Sequence, residues 1–165
     1  MTDFLTLLRR DHHDLETDLD ELLRTTAVAE IRCTLDGVRL GLVAHAEAED
    51  IVLYAALVQA GSPALLDDLI GGVRNAHLVQ EGALAALVSS TPGTSQWRDR
   101  AVRLRDLVHE HAAYEENAVL PAIRDHAPAV YGSLAGSFAT ERLRQLAMLQ
   151  PSLPIFVSEL AQAQG

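Results

Sequence analysis

The chain has 165 residues, 48% of them hydrophobic and 4% aromatic, and a formal net charge of −10. That length suits one domain with a real core, scarce aromatics with abundant Leu and Ala favour helices over sheets, and the negative charge argues against nucleic acid and anionic membranes as partners. No apolar run approaches the roughly 18 residues of a membrane span. The N-terminal stretch lacks the basic start and small-residue cleavage site of a signal peptide. Cys33 is the one cysteine, which excludes an internal disulfide, so the expected location is the cytoplasm.

The first segment, from about Asp3 to Arg24, places Leu5, Leu8, His12, Leu15, Leu19 and Leu22 at steps of three and four, the period of an amphipathic helix. His12 therefore lies on the apolar seam. His13, about 100° further round, falls among Thr6, Arg10, Thr17 and Asp20 and points outward. Thr25-Thr26 reads as a turn and cap. A second helix, to about Ala60, carries Leu35, Val38, Leu42, His45, Glu49, Val52 and Ala56 on one stripe. Gly61-Ser62-Pro63 ends it and starts the third, with Ser as cap and Pro in the tolerated first turn.

The third helix aligns Leu66, Ile70, Val73, His77, Glu81, Leu84 and Val88, and its Gly71-Gly72 pair predicts a weakened or kinked turn. Ser89 to Ser95 is the clearest loop. The fourth helix, from about Gln96, has the seam Trp97, Ala101, Leu104, Val108, His111, Glu115, Ala118 and Ala122, with Pro121 bending or ending it. Beyond His126-Ala127-Pro128 a fifth amphipathic segment carries Tyr131, Leu134, Phe138 and Leu146, and Pro151 to Pro154 breaks it before a short apolar tail. The expected organisation is an all-α, up-down-up-down four-helix bundle over residues 1–126, with a C-terminal helical extension over 127–165 that packs on the bundle or on a partner subunit.

Each main helix thus carries ionisable groups in its seam: His12, then His45 with Glu49, His77 with Glu81, and His111 with Glu115. In an up-down bundle, residues at one level on neighbouring helices lie at equal distances from the intervening turn. The midpoint between Glu49 and His77 is position 63, that between Glu81 and His111 is 96, and that between His12 and His45 falls between 28 and 29. All three lie in or beside a predicted turn, so the seven groups come to one level. Three carboxylates buried together would repel one another unless cations compensated them. Imidazole and carboxylate without thiolate suit iron or manganese, with zinc a further option. Seven groups exceed what one ion takes and suit two ions sharing bridging carboxylates. Such a site could bind or activate dioxygen, peroxide or nitric oxide.

Asp11-His12-x-x-Leu15, His45-x-x-x-Glu49, His77-x-x-x-Glu81 and His111-x-x-x-Glu115-Glu116 with Pro121 resemble, in order, the motifs of the hemerythrin-like, or HHE cation-binding, family over roughly residues 5 to 125. The resemblance implies a four-helix bundle holding two non-heme iron ions joined by an oxo or hydroxo bridge. It makes His12, His45, His77 and His111 terminal ligands and gives two of the glutamates a bridging role. The chain departs from the oxygen-carrying members, whose third helix gives two histidines and which use five in all. A more anionic set of ligands stabilises higher oxidation states and disfavours simple oxygen carriage.

The plainer assignments are also expectations. His13, His109 and His126 fall off the seams, Glu47, Asp50 and Glu116 read as surface acids, Tyr54 and Tyr114 as packing residues near the level of the site, and Cys33 as an ordinary helix residue. The C-terminal 40 or so residues cover one end of the bundle, gate the site or form a contact in a homo-oligomer. Two functions fit the constellation. One is reaction with dioxygen or peroxide, as peroxide disproportionation or oxidation of a small substrate. The other is non-catalytic binding or sensing of dioxygen, nitric oxide or iron.

Overall fold

The computed structural model describes residues 3–61 and 64–150, and among these every regular element is helical. Helix α1 spans Phe4–Arg24, α2 Val28–Ala60, α3 Ala64–Val88 and α4 Ser95–Tyr114; a π turn over Glu115–Val119 leads into α5, Leu120–His126, and α6 covers Pro128–Leu149. Gly61, at a φ of 71°, ends α2 in the left-handed conformation that glycine tolerates best. The Ser62 cap and Pro63 lie outside the described residues, as do the Pro151–Pro154 break and the tail beyond it. The side chain of Thr94 accepts from the Trp97 backbone N–H at 3.2 Å and caps α4.

Contacts run from α1 to α2, α2 to α3, α3 to α4 and α4 back to α1, which closes a four-membered ring. The direction of each helix follows from its core residues. One apolar cluster contains Leu8, Val52, Val73 and Val119, and a second contains Leu15, Leu42, Leu84 and Val108. The chain therefore passes from the first cluster to the second along α1, back along α2, forward along α3 and back along α4. That is the up-down-up-down order. Helix α6 then packs along α2 and touches α1, adding Tyr131, Leu134 and Phe138 to the first cluster.

Three local differences from the sequence expectation have physical causes. Helix α3 runs unbroken through Gly71-Gly72. A Cβ on Gly72 would stand 3.1 Å from the Tyr114 hydroxyl, so the missing side chain makes room for that ring. The π turn inserts one residue into α4, and the Leu120 N–H reaches back to the Glu115 carbonyl. The seam consequently shifts from Ala118 and Ala122, which are half-buried, to Val119, Leu120 and Ile123, which are buried. Pro121 does not end the helix. It lacks an N–H to donate, and it sits in the first turn of α5, where the π turn has already broken the usual ladder.

Candidate metal centre

Between the two apolar clusters lies a polar layer of His12 from α1, His45 and Glu49 from α2, His77 from α3, His111 from α4 and Glu115 from the π turn. All six are buried, none more than 6% exposed. Ligand atoms of His45, Glu49, His77 and His111 lie within 4.8 Å of one another, as do those of His12, His45 and Glu115. Glu49 stands between two imidazoles, its Oε2 at 3.5 Å from His45 Nε2 and 3.6 Å from His77 Nε2. Glu115 stands between the other two, at 3.0 Å from His12 Nε2 and 3.2 Å from His111 Nε2.

Each of three histidines is fixed from behind by a carboxylate on a neighbouring helix. His45 Nδ1 donates to Asp11 Oδ2 at 2.8 Å, His77 Nδ1 to Asp50 Oδ1 at 2.9 Å and His12 Nδ1 to Glu116 Oε1 at 3.0 Å. An ionised carboxylate only accepts, so the Nδ1 proton is held there and Nε2 keeps its lone pair for the centre. Among the described residues His111 has no such carboxylate, and both of its ring nitrogens lack partners. The buried Gln80 sits nearby, its amide donating to the carbonyl of Leu107, one turn before His111, at 3.5 Å.

The layer is thereby lined with acceptors. The four Nε2 atoms and the four oxygens of Glu49 and Glu115 are buried and, among the described residues, have no hydrogen-bond partner. Orphaned polar atoms are costly in an interior, and eight such atoms facing one another are what a multivalent cation satisfies. Titration reflects the same environment. Burial pushes Glu115 up to about 8, the neighbouring Glu49 carboxyl partly opposing it. Burial and the Glu115 charge raise Glu49 well above the ordinary carboxylate range. Burial takes His45 down to about 4 against its bond to Asp11, and burial with the surrounding imidazoles takes His111 to about 2. Burial favours the neutral form of Asp11 and Glu116, yet bonds from His45 and Arg142 to the one, and from His12 and Arg9 to the other, leave both lowered.

Of the seven residues expected at the site, six meet and Glu81 does not. It is exposed on α3. Residues three and four beyond His77 lie about 60° to one side and about 40° to the other, and α3 turns Gln80 inward, with Leu84 and Leu87 following in place of Leu84 and Val88. The centre is therefore less anionic than three carboxylates would make it. His13, His109 and His126 are exposed, as is Tyr54, and Tyr114 packs on Gly72. Asp50 and Glu116 are not the surface acids their positions suggest, and Asp11 joins them as a histidine-orienting group. One signal could have marked all three: each is adjacent in sequence to a ligand candidate, so it lies close to the layer while facing the next helix.

The model of the family described as hemerythrin HHE cation binding domain matches residues 3–129. The chain is similar to a protein named DNA nickase from Nostoc sp., with 25% identity over 120 residues, which cover 73% of this chain and 33% of that protein. It thus spans about a third of the length of that relative. No solved structure matches. The family match covers the whole ring of helices and every residue of the polar layer, and the chain belongs to the hemerythrin HHE cation-binding family.

Proposed function

We propose that His12, His45, Glu49, His77, His111 and Glu115 hold two iron ions and that the centre reacts with peroxide or dioxygen. The observation that carries the metal reading is the set of eight buried acceptor atoms, without partners among the described residues, that α1 to α4 and the π turn after α4 contribute. Mixed imidazole and carboxylate donors without thiolate suit iron, and manganese after it. Iron in such a setting supplies redox chemistry, which belongs to the metal. The protein's own residues bind the ions, orient the imidazoles through Asp11, Asp50 and Glu116, and exclude bulk water. Two six-coordinate ions present about twelve positions, so eight donor atoms leave some open for a small reactant. Six ligands at most 6% exposed favour a reactant the size of peroxide or dioxygen over a large organic substrate. The name of the Nostoc relative does not decide the matter, since the match covers a third of that protein and a net charge of −10 opposes docking on a phosphate backbone.

Iron-loaded protein supplied with hydrogen peroxide tests the reading with an oxygen electrode. The expected result is oxygen evolution that His77→Ala abolishes. Reversible spectral change with dioxygen or nitric oxide, and no turnover of peroxide, would replace this reading with binding or sensing.

A further inference from the structure

Helix α6 begins at Pro128, so all but its first two residues lie beyond the family match, yet it reaches the centre. Its buried stripe runs through Tyr131, Leu134, Phe138 and Gln145. Arg142 continues that stripe, four residues after Phe138 and three before Gln145, so a cation is carried toward the bundle. Its guanidinium grips Asp11 with both arms, Nε to Oδ2 at 2.7 Å and Nη2 to Oδ1 at 2.7 Å. The same Oδ2 receives Nδ1 of His45 at 2.8 Å. One turn earlier on α6, the fully buried Phe138 ring meets the His45 imidazole edge to face, with centroids 5.8 Å apart and planes at 78°.

We infer that α6 is part of the metal centre and that Arg142 is a positioning residue for His45, acting through Asp11. The inference rests on the metal reading above. A carboxylate held by two parallel N–H bonds keeps one orientation, and a single orientation of Asp11 aims one imidazole rotamer at the layer. With Arg142 removed, Asp11 keeps its bond to His45 but loses the fork that sets its plane, and the ring is left to a freely turning carboxylate and the Phe138 contact. His12 and His77 are arranged differently. The carboxylate behind each meets Arg9 or Arg74, from α1 and α3 of the ring itself, and both arginines are more than half exposed, against 21% for Arg142.

The test is a titration of the metal-free chain with Co(II), read by its d–d absorption, for the wild type, Arg142→Gln, Arg142→Lys and Arg144→Gln. Outer-shell partners of metal ligands typically contribute about 10- to 100-fold in affinity. Arg142→Gln is expected to weaken Co(II) binding at least about tenfold and to shift the d–d bands. Arg142→Lys, which keeps the charge without the fork, should fall between it and the wild type. Arg144→Gln, on the exposed side of α6, should match the wild type. Should Arg142→Gln fold poorly, the Lys variant carries the comparison. Unchanged affinity and spectrum in Arg142→Gln, or in the Lys variant if it alone folds, would overturn the inference while leaving the metal reading intact. So would a lower melting temperature with unchanged affinity, which would make Arg142 merely structural. A wild-type chain that took up no Co(II) would overturn the metal reading itself, and this inference with it.

Discussion

Raising the pH should destabilise the metal-free protein and strengthen the metal-bound one. Glu115 titrates near 8 in the folded chain, against 4.5 for an ordinary glutamate, because burial disfavours its charge. Its folded form therefore holds a proton that the unfolded chain has already lost, and the stability tied to that proton disappears as pH rises through 8. Glu49, raised by burial and by Glu115, acts in the same direction. His45 and His111 are lowered, so their contribution is complete only about a unit above the ordinary histidine value of 6.5 and is lost as pH falls through 6.5 toward 4 and below. Between pH 6.5 and 8 the two carboxyls outweigh the remainder of the histidine contribution, which runs the other way and is gained mostly below about 7.5. Glu115 by itself then removes on the order of 1–2 kcal/mol, which in a chain of this size is a fall of about 2–8 °C in melting temperature. Bound cations reverse the sign, since they require both carboxylates deprotonated and displace the protons. Differential scanning calorimetry at pH 6.5, 7.2 and 8, on chelator-stripped and iron-loaded protein, reads both slopes. A metal-free melting temperature that held steady or rose over that interval would refute the argument, because the two carboxyls would then be ionised in the folded chain without a cation.

Four further outcomes follow from the geometry. His12→Ala should lower bound iron from about two ions per chain to one or fewer, whereas His13→Ala, at an exposed position on the same helix, should leave the metal content unchanged; metal analysis of both decides it. Glu81→Gln should likewise keep the wild-type iron content and spectrum, while Glu49→Gln loses iron, since only Glu49 lies in the buried layer. Asp50→Asn should weaken Co(II) binding about tenfold or more, by freeing the His77 ring, and equilibrium titration measures it. Leu104→Ala, in the apolar cluster beyond the site, should cost about 2–5 kcal/mol in urea unfolding without changing the iron content of the folded protein.

The helices and the level of the centre were legible in the sequence because both follow from short-range rules. Steps of three and four place His12, His45, Glu49, His77, His111 and Glu115 on apolar stripes, and equal distances from the turns place them at one height. Glu81 shows where that reasoning stops. Steps of three and of four fit a stripe equally well, and the packing of α3 against its neighbours turns Gln80 inward instead. The π turn is a second such case. It adds a residue for the sake of packing Val119, Leu120 and Ile123, and no propensity in Glu115–Val119 announces it. Asp11, Asp50 and Glu116 escaped notice as histidine partners because each serves an imidazole on another helix, a relation that periodicity along one helix does not contain. Arg142 is further still from local rules, 131 residues from the carboxylate it holds.

Whether the polar layer is a two-iron site is read most directly from the iron-to-chain ratio of protein produced in iron-replete medium, taken with its near-ultraviolet spectrum. A two-iron layer should give about two irons per chain with ligand-to-metal charge-transfer absorption, both lost in the His45→Ala, Glu49→Gln double variant. Folded protein that carried no iron, or that retained its iron in that double variant, would contradict it.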